Sequence, residues 1–353
     1  MALIWDLIIG NSFMMKHVTI IGDGGWGTAL ALHLFSKDLQ VKVWGPDAEY
    51  LASVRKAREN KLYLPGISLP AGIHWTADCQ EAAAGAELAV LAVPSKYCRA
   101  VFQKFAGLLE KKCAVLSVCK GFDPSTKKRI STVAAEYFSS LPLAVLSGPS
   151  HAEEVARGIP TAVVLAAADH NLAVRMQKTI MTPKFRIYTT NDVAGVELGG
   201  ALKNVIAIAV GISDGLGFGD NTKAALITRG LAEMTRIGCG LGGRFETFAG
   251  LSGLGDLIVT CTSHLSRNRA VGERLGKGET FTSIIASMKQ VAEGATTCAT
   301  AHDIAKKIRA SAPITDEVYA VIHHGKSPQA AVAALLNRSA RPERDIINEE
   351  LRM

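Results

Sequence analysis

A glycine-rich turn between a short apolar run and a helical segment restricts the fold of this chain more than any other feature. The run His17–Ile21 leads directly into Gly22-Asp-Gly-Gly-Trp-Gly27, and the apolar segment that begins at Thr28 follows. This G-x-G-x-x-G spacing, in the order strand, turn and helix, is typical of the first βαβ unit of a dinucleotide-binding sheet. Gly22 makes the turn, Gly24 lets the backbone approach a pyrophosphate, and Gly27 lets the helix pack on the strand. The motif therefore predicts a dinucleotide site at this turn.

Short apolar runs continue to Thr190, and long helical periods replace them after Asn191. Runs without polar alternation are typical of parallel strands that are covered on both faces. We predict an α/β protein: an N-terminal Rossmann-type, doubly wound, mostly parallel sheet over residues 16–190, and an all-helical substrate domain over 191–353. A ligand cleft is expected where they meet, and residues 1–15 are interpreted as an N-terminal extension. The predicted strands are His17–Ile21, Val41–Trp44, Leu88–Val93, Val115–Val118, Leu143–Leu146, Thr161–Leu165 and Phe185–Thr190.

Composition narrows the class of ligand. A net charge of +7 favours anionic ligands. Only 6% of residues are aromatic and no dense Lys/Arg block is present, which argues against nucleic acid and favours small phosphorylated molecules. The seven cysteines are widely spaced, with no CxxC pair and no metal-ligand spacing, so we expect a cytoplasmic protein with reduced thiols and no metal. No stretch approaches the roughly 18 apolar residues of a membrane span, so none is expected.

Polar residues follow several predicted strands, at the edge where ligands bind in open α/β sheets. Ser95, Lys120 and Ser150 each stand just past a strand. The alternatives are turn chemistry for Ser95, a solvated loop lysine for Lys120, and a helix cap for Ser150, which forms a capping box with Glu153.

The residues around the glycine turn bear on the choice between NAD and NADP. Asp23 puts a carboxylate inside the turn, so its side chain must point away from the phosphates. In this fold the acidic residue that binds a ribose hydroxyl usually stands at the end of the second strand, and Asp47 lies a few residues beyond that position. No arginine is present there to favour a 2′-phosphate. NAD is therefore slightly favoured.

Lys203 lies in an otherwise apolar helical segment, with Gly199 and Gly200 one turn before it. The two glycines cost about 1 kcal/mol each in helix propensity and predict open space above the lysine. Burial lowers the pKa of a lysine, which suits a group that gives a proton to a carbonyl oxygen. The alternative is a snorkelling lysine above a helix-packing glycine pair.

A third candidate group lies further along the chain. Ser266 as an N-cap, the free N–H groups after it and the guanidinium of Arg267 predict a phosphate site. Asp256 either orients Lys203 or accepts a substrate hydroxyl. Taken singly, Arg267 is equally consistent with a surface charge and Asp256 with a cap, so the hypothesis depends on convergence of these residues in the fold.

From Lys16 to about His324 the chain resembles the bacterial NAD(P)-dependent glycerol-3-phosphate dehydrogenases. The family usually has Ala at Asp23, Ser at Gly25, and often a polar or basic residue at Pro46. The motifs that carry the resemblance are Gly22–Ala31, Tyr63–Gly66, Ala92–Ser95, Lys120-Gly121, Ser147–Ser150, Gly195–Asn204, Asp214–Leu216, Asn221, Thr228–Leu231, Gly255–Leu257, Ser266–Arg269 and Val291–Gly294.

The resemblance implies hydride transfer between NAD(P) and a phosphorylated triose, which interconverts dihydroxyacetone phosphate and sn-glycerol 3-phosphate and supplies phospholipid synthesis. It also implies a homodimer. The implied catalytic residues are Lys203, Lys120 and Asp256. The implied substrate residues are Lys120, Gly148, Ser150, Lys203, Asn204, Asp256, Ser266, Arg267 and Asn268. The cofactor residues, from the motif and the resemblance together, are Gly22, Gly24, Gly25, Trp26, Gly27, Pro46, Ser95, Lys120, Ala152, Arg267, Val291 and Glu293.

Two other functions remain open at this point. A β-hydroxyacid dehydrogenase shares the two-domain plan, but those enzymes usually keep an Asn one helical turn after the lysine. Here Asn204 is adjacent to Lys203, and position 207 is Ala. A dinucleotide-sensing module without catalysis would need only the Rossmann features, and Lys120, Lys203 and the Ser266–Asn268 segment argue against it.

Overall fold

The fold, taken from a computed structural model, is described over residues 15–288, 292–340 and 342–343. Two compact units form. Unit 1 comprises the described residues up to Cys119, with Ile130–Leu146 and Ser150–Val193; unit 2 comprises Lys120–Arg129, Ser147–Pro149 and the described residues from Ala194 onward. Two loops within the predicted sheet domain thus belong to the helical unit. Val291 and most of the predicted extension, residues 1–14, lie outside the described residues.

Unit 1 is built around a mostly parallel sheet, as predicted. The strands are β1 His17–Ile21, β2 Gln40–Trp44, β3 Glu59–Asn60, β4 Leu64–Ser68, β5 His74–Thr76, β6 Leu88–Leu91, β7 Ala114–Ser117, β8 Leu143–Ser147, β9 Thr161–Ala167 and β10 Phe185–Thr190. Eight of them form one sheet in the order β10-β9-β8-β7-β6-β1-β2-β5. The chain runs outward from β1 through β2 and then returns to β6 on the other side of β1. This reversal is the switch point at which open sheets bind ligands.

Both faces of the sheet are buried, which explains the absence of polar alternation. On β6, Leu88 and Val90 pack into one apolar cluster, whereas Ala89 and Leu91 pack into another. The helices of unit 1 are α1 Gly25–Phe35, α2 Ala48–Ala57, α3 Cys79–Ala83, α4 Cys98–Phe105, α5 Ile130–Tyr137, α6 Ala152–Ala156 and α7 His170–Ile180.

Three strands were not predicted. The edge strand β5 has only three residues, and β3 pairs with β4 in a separate antiparallel hairpin that contains Pro65. β3 and β5 have only two and three residues, too few for a periodic signal, and the Pro65-Gly66 pair in β4 is typical of a turn. Met15, which was grouped with the extension, is fully buried in unit 1, and its N–H donates to Thr179 Oγ1 over 3.3 Å.

Unit 2 is helical and has α8 at its centre. Its helices are α8 Val193–Gly215, α9 Asp220–Gly240, α10 Phe245–Ala249, α11 Asp256–Thr262, α12 Arg267–Gly276, α13 Phe281–Ser287, α14 Glu293–Lys307, α15 Pro313–His324 and α16 Pro328–Leu336. By length and composition α8 could cross a membrane, so the prediction that no segment is long and apolar enough is wrong for this helix. However, 89% of its most apolar 18-residue window is buried inside the protein, as expected for a core helix.

Helices α8 and α12 pack backbone against backbone through paired glycines. A Cβ on Gly211 would lie 2.1 Å from Arg269 O, and one on Gly272 would lie 2.1 Å from Ile208 O. Gly215 and Gly276 repeat the arrangement one turn later. Because side chains are absent on both sides, the helix that carries Lys203 sets the position of the helix that begins at Arg267.

This packing predicts that Gly272→Ala destabilises unit 2. A methyl group there meets main-chain atoms that cannot turn aside, so we expect a loss of about 1–3 kcal/mol in the free energy of unfolding, despite the helix propensity that alanine adds. Urea denaturation of the full chain, followed by circular dichroism, measures it. The control is Gly219→Ala at the N-cap of α9, where a Cβ has nothing within 4 Å and only the smaller cost of alanine at an N-cap applies. Equal stability of the two variants would contradict the close packing.

Candidate active site

The glycine turn in unit 1 has the form that a pyrophosphate needs. Gly22 has φ +126°, and a Cβ there would lie 2.4 Å from Ala92 O, so the turn is packed against the end of β6. A Cβ on Gly27 would lie 2.1 Å from Gly22 O, which is the predicted close contact of helix and strand. Gly24, in contrast, has nothing within 4 Å of its Cβ position. The turn is thus closely packed at Gly22 and Gly27. It is open at Gly24, beside the N-terminus of α1, where the free N–H groups favour a phosphate.

Asn60 connects the β3–β4 hairpin to this turn, and sequence reasoning missed it. Its side chain is fully buried, and its Nδ2 donates to Asp23 O and to Thr28 Oγ1, both over 2.8 Å. Its Oδ1 accepts from Tyr50 OH over 2.6 Å and from Tyr63 N over 3.1 Å. The amide therefore fixes the hairpin beside the glycine turn. A lone Asn in a polar segment carries no signal of this role.

The other unit 1 residues predicted to touch the cofactor follow the ends of strands. Ser95 is buried at the start of a 3₁₀ turn after β6, and Pro46 is exposed after β2. Ala152 begins α6, and its Cβ is 3.8 Å from the Cβ position of Gly25. The predicted capping box at Ser150 is wrong: the extended residue before α6 is His151, whose carbonyl accepts the first helical bonds.

The polar core of unit 2 is a carboxylate between two lysines. Asp256, at the start of α11, is 1% exposed. Its Oδ1 accepts from Lys203 Nζ over 2.5 Å, and its Oδ2 accepts from Lys120 Nζ over 2.8 Å. Lys120 also donates to Gly148 O over 3.1 Å. The structure thus brings together the three residues predicted to be catalytic, and Asp256 contacts both lysines directly.

Thr260 completes this cluster and was missed. Its Oγ1 donates to Asp256 O over 2.6 Å and accepts from Lys203 Nζ over 2.7 Å. It lies one helical turn after Asp256, so the spacing is visible in the sequence once Asp256 is known. Lys203 is 5% exposed and bound by two oxygens. A snorkelling lysine would instead have its amine in water.

The pKa values in the cluster move in the directions that a proton donor needs. Burial lowers the pKa of Lys203 to about 8 and outweighs the attraction of Asp256, while Lys120 lowers it further. Burial alone would raise the pKa of Asp256, but the positive charges of Lys120 and Lys203 hold it below its ordinary value. Asp256 is therefore the anion of the cluster at neutral pH, and Lys203 is an ammonium that releases its proton more readily than an exposed lysine.

Gly199 and Gly200 pack against other parts of the protein and do not face open space, so the predicted opening above Lys203 is wrong. A Cβ on Gly199 would lie 2.5 Å from Ser252 O, and one on Gly200 would lie 2.3 Å from Ser147 Oγ. The glycines let α8 approach the loop after β8 and the π-helical turn Leu251–Gly255. That turn leads directly into Asp256, so the close approach positions the carboxylate beside Lys203.

The loop that carries Lys120 is attached to unit 2 along its length. Phe122 is buried in the apolar cluster around α8. Arg129 Nη1 donates to Glu197 Oε2 of α8 over 3.0 Å, and Lys127 Nζ lies 2.7 Å from Asp303 Oδ2. Sequence reasoning missed Glu197, because a single acidic residue in an apolar helix gives no indication of which basic residue it pairs with. These contacts hold the loop, and hence Lys120, on α8 and α14.

The start of α12 forms the predicted helix terminus. Ser266 caps it, with its Oγ accepting from Arg269 N over 3.2 Å, so this prediction is confirmed. Arg267 is exposed in the first turn, whereas Arg269 is bound to Asp214 over 2.7 Å. Asn268 Oδ1 accepts from Gly294 N over 3.0 Å. A Cβ on Gly294 would also lie 2.9 Å from Asn204 O, so Asn204 and Asn268 both adjoin the segment that starts α14 at Glu293.

Comparison with known proteins decides the family. Residues 17–173 match the family model of the NAD-dependent glycerol-3-phosphate dehydrogenase N-terminus, and residues 192–333 match that of its C-terminus. The chain belongs to the NAD-dependent glycerol-3-phosphate dehydrogenase family. The sequence-based recognition and the predicted fold class are confirmed, and the chain is an NAD(P)-dependent oxidoreductase.

Individual relatives of this chain are similar to it over nearly their whole length. A glycerol-3-phosphate dehydrogenase [NAD(P)+] from Moorella thermoacetica is 49% identical over 92% of this chain and 97% of its own. One from Geobacillus kaustophilus is 46% identical over 95% and 98%. The crystal structure of glycerol-3-phosphate dehydrogenase from Coxiella burnetii superposes with a TM-score of 0.89 at 37% identity, over 92% of this chain and all of that one.

The buried charges of the dehydrogenase predict a stability effect for Asp256→Asn. Removing the anion leaves two ammonium groups unpaired at pH 7, so we expect a loss of about 3–5 kcal/mol in the free energy of unfolding. The control is Asp303→Asn, whose pair with Lys127 is exposed and screened by solvent, so its loss is below about 1 kcal/mol. Urea denaturation of the full chain measures both.

The pH dependence provides a second readout of the same variant. Lys203 has a pKa of about 8 in the folded chain and an ordinary value of 10.5, so between these values the unfolded chain binds more protons. The free energy of unfolding contributed by this group therefore rises with pH across that window. In Asp256→Asn the pKa of Lys203 falls further, because the attraction of the carboxylate is lost. The rise in the free energy of unfolding therefore begins at a lower pH. Equal losses of unfolding free energy in Asp256→Asn and Asp303→Asn would contradict the buried charge cluster.

Proposed function

We propose that the chain catalyses the reversible reduction of dihydroxyacetone phosphate to sn-glycerol 3-phosphate with NADH or NADPH. The observation that carries the proposal is the buried carboxylate of Asp256 held between the ammonium groups of Lys120 and Lys203. A carbonyl carbon that accepts hydride leaves negative charge on its oxygen, which needs nearby positive charge and a proton. The cluster supplies both, and family membership supplies the substrate class.

Lys203 gives the proton in this proposal. Its ammonium carries three N–H bonds, of which Asp256 Oδ1 and Thr260 Oγ1 accept two. The third is available to the oxygen of the substrate. A pKa of about 8 keeps the group protonated at neutral pH and makes it a stronger acid than an ordinary lysine. In the reverse direction the neutral amine takes the proton back from the substrate hydroxyl.

Lys120 and Asp256 set the charge around that proton. Lys120 places its positive charge beside Asp256 and stabilises the developing alkoxide, while Asp256 holds both amines in position. Gly148 and Ser150, in the loop after β8, would contact substrate next to Lys120, whose Nζ is bound to Gly148 O. Preorganised charge of this kind accounts for a large part of many enzymatic rate enhancements.

The start of α12 is proposed to bind the phosphate of the substrate. Arg267 supplies a guanidinium in the first turn, and Ser266 fixes the helix terminus whose N–H groups favour an anion. Because Asn268 Oδ1 accepts from Gly294 N, the Nδ2 of that amide is the end able to donate to phosphate. Asn204 completes the proposed substrate residues.

NAD or NADP supplies the hydride when bound, and the glycine turn fits its pyrophosphate. The open face of Gly24 and the N-terminus of α1 support this placement. The proposed cofactor residues are Gly22, Gly24, Gly25, Trp26, Gly27, Pro46, Ser95, Lys120, Ala152, Arg267, Val291 and Glu293.

Family membership also supports proposals about the setting of the reaction. We infer a cytoplasmic homodimer that supplies glycerol 3-phosphate for phospholipid synthesis. The seven cysteines are all free, several of them buried, which is typical of a reducing compartment.

The experiment is steady-state oxidation of NADH and NADPH by the purified full chain, with dihydroxyacetone phosphate and, separately, 3-oxoacid substrates. We expect turnover with dihydroxyacetone phosphate alone, and a rate of reduction that falls as pH rises through about 8, where Lys203 loses its proton. Lys203→Ala should lower kcat by about 10²–10⁴-fold with nucleotide affinity retained. The matched control is Lys277→Ala, which removes an exposed lysine of the same unit.

Each other outcome has a distinct meaning. Turnover on 3-oxoacids in place of the triose would identify a β-hydroxyacid dehydrogenase. Nucleotide binding without turnover on a panel of phosphorylated ketones would identify a sensing module. An unchanged kcat in Lys203→Ala would remove this lysine from the mechanism.

A further inference from the structure

The carboxylate of Asp23 fills the space that a side chain at the end of β2 would take. Gly45 follows β2 directly, and a Cβ built on it would lie 2.5 Å from Oδ2 and 2.6 Å from Cγ of Asp23. Gly45 is not in the left-handed region, so its backbone conformation does not require glycine. The three atoms nearest to that position all belong to the side chain of Asp23.

This space is the one from which dinucleotide-binding sheets recognise the adenosine ribose. In such sheets an acidic residue about 20 positions after the glycine turn, at the end of β2, accepts a hydrogen bond from the ribose 2′-hydroxyl. Gly45 stands at that distance and has no side chain to offer. The turn lies alongside, because Ile21 is in register with Trp44 and Gly22 N donates to Trp44 O over 2.9 Å.

Asp47, the other acidic residue near the end of β2, has a structural role. Its carboxylate accepts from Tyr50 N over 2.9 Å and caps α2. The capping bond holds it at the start of that helix, two residues beyond the strand-end position. Asp23 is therefore the carboxylate that lies at the strand end itself, although it comes from the glycine turn.

We propose that Asp23 is the ribose-recognising acid of this enzyme and that it selects NAD(H) over NADP(H). The proposal deepens the proposed function, because it rests on the cofactor site at the glycine turn. A ribose 2′-hydroxyl donates to this carboxylate, whereas a 2′-phosphate would bring further negative charge against it and towards Asp47. The carboxylate that recognises the ribose thus comes from the glycine turn instead of the end of β2. Gly45, which has no side chain, leaves room for that carboxylate.

The electrostatics of unit 1 support this assignment. Burial raises the pKa of Asp23, and the negative charge of Asp47 adds to the rise, while a hydrogen bond from its own backbone N–H opposes it. The field of Asp23 also contributes to raising the pKa of Tyr63, behind burial as the main cause. Asp23 and Asp47 therefore lie close enough to act on each other, and a phosphate on the ribose would face both of them.

The test measures kcat/KM and Kd for NADH and NADPH with the full-length enzyme and with Asp23→Asn, which keeps the shape and removes the charge. We expect the wild-type enzyme to favour NADH at least tenfold, and the variant to lose about tenfold or more of that preference, the range set by one hydrogen bond to a charged group. The effect falls on KM and Kd rather than on kcat, because Lys203 and Asp256 are unchanged.

Two further variants separate recognition from general charge and folding effects. In Asp23→Gly/Gly45→Asp the carboxylate returns to the end of β2, with the Cβ of residue 23 removed to make space, and NADH preference should recover. This exchange also decides the matter if Asp23→Asn lowers the folded fraction. The control, Asp38→Asn, removes one negative charge from the turn before β2, at the edge of the sheet where the strands begin, and should leave the preference unchanged.

Equal use of NADH and NADPH by the wild-type enzyme, or an unchanged preference in Asp23→Asn, would overturn the assignment. Failure of the proposed reaction is distinguishable, because nucleotide binding followed by fluorescence reports on Asp23 even when dihydroxyacetone phosphate is not reduced. A full chain that binds neither nucleotide would overturn both proposals.

Discussion

The burial of one carboxylate between two ammonium groups is the constraint on which the chemistry of unit 2 depends. Asp256 and Lys203 are almost inaccessible to water, whereas 18% of the Lys120 side chain stays exposed, and burying an ion costs several kcal/mol before any attraction is counted. If Asp256 were absent, the two lysines would repel each other; if they were absent, its carboxyl would take up a proton. Such a cluster is poor evidence for stability, and its value lies in holding a lysine ready to give up its proton.

The cluster depends on close backbone contacts that only glycine allows. Gly199 and Gly200 bring α8 against the segments that carry Asp256 and Gly148. Gly253 lies in the turn just before Asp256, and a Cβ there would be 2.1 Å from Phe248 O. The turn Leu251–Gly255 is π-helical, a form that is frequent at functional sites. Three residues far apart in sequence therefore meet because main chains approach where side chains are missing.

Much of the fold could be predicted from local sequence. The glycine turn, the parallel strands and the change to helices near Asn191 each leave a periodic or spacing signal within a short window. The strands β3 and β5 are not predicted because two or three residues carry no such signal, and β4 is not predicted because its Pro65-Gly66 pair is typical of a turn. The purpose of Gly199 and Gly200 was misread, since a glycine pair looks the same whether a ligand or a backbone fills the space.

The candidate site was predictable as a set of residues but not as an arrangement. Lys120 and Asp256 are 136 positions apart and Lys203 and Asp256 are 53 apart, so no local pattern shows that they touch. Asn60, Glu197 and Thr260 were missed for a related reason: each is an ordinary polar residue whose role is defined only by its partner. Position in the predicted fold and resemblance to a family together identified the residues, and the fold explains the charges of Lys203 and Asp256.

The measurement that tests this account most directly is a titration of Lys203 in the intact protein. Lysines labelled with ¹³C at Cε are followed by NMR as pH rises, and the resonance of Lys203 is assigned by its loss in Lys203→Arg. The account predicts a pKa of about 8. A value at or above the ordinary 10.5 would contradict it, because the amine would then be too weak an acid for the role that its burial beside Asp256 implies.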